Sequence, residues 1–189
     1  MCFSSIAAIQ LLTSTDEIVT GLWNTVAGGD STVSSPGNCV GCFWTYEYPE
    51  RAFDRILIIR YINFGACDAA ASRLDCGEKT GLHLTLRRGP SLLVYMIICT
   101  GGSFPERDPL TITIEGSNEH PSSLFLGSSW TLIYSGTSGL LVDPGRTQFG
   151  QQINMIGNTV WYSSYRILVI TKRGVSSSAQ FGEIELYGY

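Results

Sequence analysis

Apolar and polar residues alternate along several short stretches of the chain, the pattern of a strand with one covered face and one wet face. Leu110-Thr-Ile-Thr-Ile-Glu115 is the cleanest case, and Leu82-His-Leu-Thr-Leu86 repeats it with His83 on the polar side. Near the C-terminus, Ile184 and Leu186 face one way while Glu183, Glu185 and Tyr187 face the other. Leu92 to Ile98 and Ile167 to Ile170 are apolar on both faces, which predicts central strands covered by a second sheet. Turn residues separate these runs: Arg88-Gly-Pro90, Gly101-Gly102, Glu115-Gly-Ser-Asn118, Ser135-Gly-Thr-Ser-Gly139, Asp143-Pro-Gly145 and Arg173-Gly174. No helical apolar stripe and no repeat interrupts them. Short strands without intervening helices imply a two-sheet sandwich whose terminal strands lie close together.

Composition agrees with a sheet protein. Only 15% of the 189 residues are charged, while glycine reaches 21 residues and aromatics 11%. The length fits one domain, 1–189, with long Gly- and Cys-bearing loops at about 23–50 and 64–80. Net charge is −4, and arginine supplies ten of the twelve basic residues. Without a lysine-rich run the footprint of a duplex-binding protein is missing, so nucleic acid is excluded as a partner. No apolar run approaches the roughly 20 residues needed for a membrane span. Met1 to Leu12 lacks the positive start of a signal peptide. The low surface charge permits a dimer.

Six cysteines point to an oxidising compartment. Cys2 is terminal, and Cys99 ends an apolar strand, where a free buried thiol is expected. Among Cys39, Cys42, Cys67 and Cys76, pairing Cys67 with Cys76 closes a short loop. The alternative is a zinc site joining Cys39-x2-Cys42 to the later pair, against which the eight residues between Cys67 and Cys76 count.

Three stretches then occur in order. They are Glu50-Arg-Ala-Phe-Asp54 with Tyr61-Ile-Asn-Phe-Gly65; Pro105-Glu-Arg-Asp-Pro109 leading into Ile114-Glu-Gly-Ser-Asn118 and Trp130-Thr-Leu-Ile133; and Tyr162-Ser-Ser-Tyr-Arg-Ile167 with the closing Gln180-Phe-Gly-Glu-Ile-Glu-Leu-Tyr-Gly188. Over about residues 50–188 this resembles the discoidin (coagulation factor V/VIII type C), galactose-binding-like family. The resemblance implies an all-β, two-sheet antiparallel jelly-roll sandwich. Arg107 and Asp108 are expected to brace a loop by an ion pair, and Trp130, Tyr162 and Tyr165 to fill core or rim.

The resemblance also implies a calcium ion held by the Ala52 carbonyl, Asp54 and Glu183. Here the loop continues Arg55-Ile-Leu-Ile-Ile59, where relatives usually place Gly, Asn and Thr, and Asp54 has Arg51 or Arg55 as an alternative partner. Sugar recognition needs an aromatic platform and hydrogen-bonding groups in loops at one end of the sandwich. The candidates are Trp44 and Tyr46 in the 23–50 loop, Asn118, Glu119 and His120 after the alternating strand, and Trp161 before Tyr162. His83, on a strand face, reads as structural.

Catalysis finds little support. A Gly-x-Ser-x-Gly elbow is absent, Gly77-Glu-Lys-Thr80 lacks phosphate-loop spacing, and Glu183 and Glu185 are read as exposed or metal-bound rather than as an acid–base pair. Phe43-Trp44 and Leu124-Phe125-Leu126 could dock a membrane, but no basic rim accompanies them. The expectation is a non-catalytic recognition module, extracellular or at the cell surface, binding carbohydrate. The alternative is a protein–protein adhesion or matrix module, with a cell-surface glycoprotein as partner.

Overall fold

The computed structural model describes residues 8–189, so Cys2 lies outside the described residues. In chain order the strands are β1 (Gln10–Leu11), β2 (Ile18–Trp23), β3 (Thr32–Val33), β4 (Ser35–Pro36), β5 (Cys42–Phe43), β6 (Tyr61–Asn63) and β7 (Gly81–Thr85). They continue with β8 (Leu93–Cys99), β9 (Pro109–Ser117), β10 (Thr131–Thr137), β11 (Ile153–Asn154), β12 (Ser164–Lys172), β13 (Ala179–Phe181) and β14 (Glu183–Gly188). Six form a front sheet in the order β10-β9-β12-β7-β2-β3, and four form a back sheet, β1-β14-β8-β11. Pairing within both sheets is antiparallel, and β1 lies against β14, so the terminal strands adjoin as the pattern predicts. A third, smaller sheet runs β13-β6-β5-β4, with β4 and β5 parallel.

The period-two pattern becomes the core. Leu82, Leu84, Ile112, Ile114, Ile167 and Val169 of the front sheet pack with Met96, Ile98, Ile184 and Leu186 of the back sheet. Full burial of one such side chain contributes about 1.5–3 kcal/mol, so this layer dominates the fold's stability. Trp130, Tyr162 and Tyr165 are buried as expected. The Tyr165 hydroxyl donates to the Ser91 carbonyl at 2.6 Å, which satisfies its polar end.

The chain passes from β13 in the small sheet to β14 in the back sheet through Gly182. Its amide donates to the Cys99 carbonyl at 3.0 Å. A Cβ there would lie 2.4 Å from the Thr100 carbonyl oxygen, so any larger residue forces the two strands apart.

The front sheet departs from the one-wet-face expectation. Arg166 and Glu115, on its outer face, are fully buried, because the segment 24–31 and Trp130 cover them. His83 stands beside them, half-buried and stacked on Trp130 with ring centroids 5.8 Å apart.

Two disulfides tie the long loops, Cys39–Cys42 and Cys67–Cys76. The expected short-loop pair is present. The zinc alternative is overturned, because the four sulfurs are taken up in two separate disulfides and none remains as a thiolate ligand. Cys99 is a free, buried thiol as predicted, and burial pushes its pKa up to about 12.

Candidate functional site

A pocket of about 370 Å³ opens where four segments converge, within the size range of small-ligand sites. Trp44 and Glu47 come from the turn after β5, Arg60 and Ile62 from the start of β6, Phe104 and Arg107 from the segment before β9, and Ser177 from the segment before β13. Backbone pairing clamps the first two segments: Trp44 donates its amide to the Ile62 carbonyl at 3.2 Å, and Ile62 donates to the Glu47 carbonyl at 3.1 Å. The Trp44 indole meets Phe64 edge-on at 6.1 Å, which fixes the ring at the pocket wall while leaving it partly exposed.

Phe104 is the strained member. Its backbone sits in the left-handed region at φ 58° and ψ 68°. A bulky residue rarely adopts this conformation, and the following Pro105 further disfavours it. The cost is on the order of 1–3 kcal/mol, sustained only where surrounding contacts over-determine the geometry. Those contacts are visible. Gln180 Nε2 donates to the Ser103 carbonyl at 2.8 Å and the Phe104 carbonyl at 3.0 Å, and Arg60 Nη1 donates to Ser103 Oγ at 2.9 Å. The result holds an aromatic ring, 45% exposed, on the pocket rim.

Asp108 completes the brace, but not with Arg107 as the sequence suggests. Its buried carboxylate takes two hydrogen bonds from Arg146, at 3.1 and 2.7 Å, and one from Gln180 at 3.0 Å. Arg107 turns the other way and lays its guanidinium 4.1 Å from the centre of the Phe104 ring. Arg107 closes the 3-10 turn Pro105–Arg107, whereas Asp108 is already in extended backbone, so the two neighbouring side chains leave the chain in different directions and do not pair.

The pocket's charges are two arginines and one carboxylate. Arg60 Nε lies 3.2 Å from Glu47 Oε1, close enough for an ion pair but off the line of a hydrogen bond. Burial raises the Glu47 pKa, with Arg60 and Arg107 acting against that shift. Burial also lowers the Arg107 pKa, and the neighbouring positive charge of Arg60 adds to the effect. Aromatic faces beside hydrogen-bonding groups of both polarities suit a ligand with an apolar ring face and a hydroxylated edge.

The residues singled out from sequence divide between two ends of β9. Trp44 lines the pocket, and Tyr46, two residues on, projects 78% exposed into solvent. Asn118, Glu119 and His120 follow β9, whereas Phe104 and Arg107 precede it. A nine-residue strand, about 30 Å long, separates the groups. At the far end Asn118 donates to the Trp161 carbonyl at 2.8 Å and accepts from the Ser163 amide at 2.8 Å. His120 contacts Ser122 through Nδ1 at 2.8 Å. Sequence reasoning missed Glu47, Arg60, Phe104, Arg107 and Ser177. The signal it had was an aromatic followed by proline after Gly101-Gly102, which marks a turn with unusual backbone angles.

Ala52, Asp54 and Glu183 come together at the 51–56 turn. Asp54 pairs with Arg51 at 3.0 Å and accepts the Ile56 amide at 2.8 Å. Glu183 accepts the Arg55 amide at 2.9 Å, and burial pushes its carboxyl up to about 8. Calcium takes six to eight oxygens. This set offers two carboxylates and a carbonyl, with the Arg51 guanidinium already answering Asp54. As arranged, these residues do not fit that ion.

No family model matches the sequence, and no curated protein matches it by sequence. Solved structures do match the fold. A family 32 carbohydrate-binding module of NanJ from C. perfringens, in complex with galactose, aligns at a TM-score of 0.59 and 12% identity, covering 95% of this chain and 99% of its own. A Clostridium perfringens family 32 module in complex with GalNAc-β-1,3-galactose aligns at 0.59 and 10% identity, over 94% and 99%. An F5/8 type C domain from Bacteroides fragilis reaches 0.61 at 12% identity, over 95% and 96%. With its antiparallel sheets and adjoining terminal strands, this chain has the fold of the discoidin-type, galactose-binding-like sandwich domains.

Proposed function

We propose that this protein is a non-catalytic carbohydrate-binding module and that the Trp44–Phe104 pocket is its sugar site. The observation that carries the reading is Phe104, a ring held on the pocket rim in a costly backbone conformation by Gln180 and Arg60. A sugar ring would lie against Phe104 or Trp44, with Glu47 accepting from its hydroxyls and Arg60 donating to them. Fold neighbours crystallised with galactose and a galactoside lend support. Glu47 is the single carboxylate lining the pocket, which favours binding over hydrolysis, since glycoside cleavage uses a pair of carboxylates. Two disulfides favour an oxidising, extracellular setting.

A glycan array probed with the full chain tests this. Saturable binding to a defined glycan is expected, weakened roughly 30-fold in Trp44→Ala, as for loss of an aromatic anchor worth about 2 kcal/mol. A blank array, or binding indifferent to Trp44→Ala and Phe104→Ala together, rejects the pocket as a sugar site.

A further inference from the structure

The two arginines in the pocket are not in the same electrostatic state. Arg60 has the Glu47 carboxylate 3.2 Å away. Arg107 has no carboxylate partner among the described residues. The adjacent Asp108 is taken by Arg146 and Gln180, and the Glu106 side chain forms no ion pair with it. The Arg107 Nε atom is buried without a hydrogen-bond partner, and Nη2 has only a long contact of 3.5 Å to Ser177 Oγ. The Phe104 ring supplies a cation–π contact but occupies no donor. A half-buried guanidinium with unused donors is costly to leave as it is, and its planar fork matches an oxyanion. With two cations and one anion, the pocket wall carries an excess positive charge in a chain whose net charge is −4.

We propose that the ligand of this pocket is an anionic glycan whose carboxylate or sulfate group docks on Arg107. This rests on the carbohydrate reading above and narrows it to a charge class. Arg60 and Glu47, already neutralised by each other, take the hydroxyls, and Trp44 and Phe104 take the ring faces. The acidic group falls to Arg107, the one partnerless charge of the wall.

Isothermal titration of the full chain with three oligosaccharides of equal length tests it: neutral galacto-oligosaccharide, its sulfated form and oligogalacturonate. An anionic ligand is expected to bind roughly 10- to 100-fold more tightly than the neutral one, the range of a charge-assisted hydrogen bond. The advantage should shrink at high salt. A gain with oligogalacturonate alone identifies the group as carboxylate; a gain with the sulfated form alone identifies sulfate; a gain with both supports recognition of charge. In Arg107→Gln the ratio of anionic to neutral affinity should fall to about one, and Arg107→Lys should recover part of it. Thermal melting of each variant checks that it is folded. Equal or tighter binding of the neutral sugar by the wild-type chain overturns the inference and leaves the carbohydrate reading standing. An undiminished ratio in folded Arg107→Gln also overturns it. If none of the three binds and the array is blank as well, both readings fall together.

Discussion

Arg166 and Glu115 face each other on neighbouring strands of the front sheet, both sealed from solvent and joined by hydrogen bonds of 2.7 and 2.9 Å. Each also holds the covering segment. Glu115 accepts the Gly28 amide at 2.8 Å, and Arg166 donates to the Gly29 carbonyl at 3.0 Å and to Ser31 Oγ at 2.8 Å. The Trp130 ring lies 4.8 Å from the guanidinium. Desolvating the pair is expensive, so its role is better read as geometric: it fixes the 24–31 segment over the sheet.

Replacing one partner strands the other. Arg166→Met should cost about 3–5 kcal/mol in urea unfolding, since Glu115 is left buried and unpaired. The double variant Arg166→Met with Glu115→Leu should recover much of that loss, because two apolar groups of similar volume need no desolvation. If both variants lose the same amount, the hydrogen bonds to the 24–31 segment matter more than the charge pair.

His83 gives a pH signature to the same face. Burial, aided by the Arg166 charge, lowers its pKa from 6.5 to about 4. Its Nδ1 has no partner. Between those values the unfolded chain binds a proton that the native chain does not, so stability falls as pH drops from 6.5 towards 4 and is unaffected by this group above 6.5. The contribution across that window is about 3 kcal/mol. His83→Gln should flatten the decline in melting temperature from pH 7 to pH 4.5 relative to wild type. Parallel curves for the two proteins would exclude His83 as its source.

The strands were legible because one buried face imposes a period of two whatever lies on the other side. Leu110 to Glu115 and Leu82 to Leu86 announce themselves that way; the first falls within β9 and the second coincides with β7 up to Thr85. What covers the other face is decided by chain segments far off in sequence. Glu115 and Arg166 look like wet-face residues until residues 24–31 fold over them, 84 or more positions from Glu115. The pocket fails to show for a similar reason. Trp44 stands out as an aromatic in a loop, but Arg60, Phe104 and Ser177 meet it only after three separate segments have converged. Proximity in sequence misled in the opposite sense with Arg107 and Asp108, which point apart.

Calcium should leave the fold unmoved. Asp54 is satisfied by Arg51 and the Ile56 amide, and Glu183 by the Arg55 amide. Melting in millimolar calcium and in EDTA should therefore agree to within about a degree, since a ligand that does not bind the native state cannot stabilise it. A rise of several degrees with calcium would show that Arg51 yields its place to an ion.

Phe104 separates stability from recognition. Phe104→Ala and Phe104→Asn both remove the ring, so both should weaken glycan binding to a similar extent, roughly tenfold or more. Their stabilities should differ, because asparagine enters the left-handed region far more readily than alanine. Phe104→Asn should be the more stable by up to about 1 kcal/mol, a fraction of the strain that such a conformation stores. The contacts from Gln180 remain in both variants, so the comparison isolates the backbone cost from the loss of the ring. Urea unfolding and glycan titration on the two proteins read the two effects independently. Equal stabilities would mean that the Gln180 hydrogen bonds set the 104 conformation at little cost, and the exposed ring would then lose its standing as a strained, ligand-facing group.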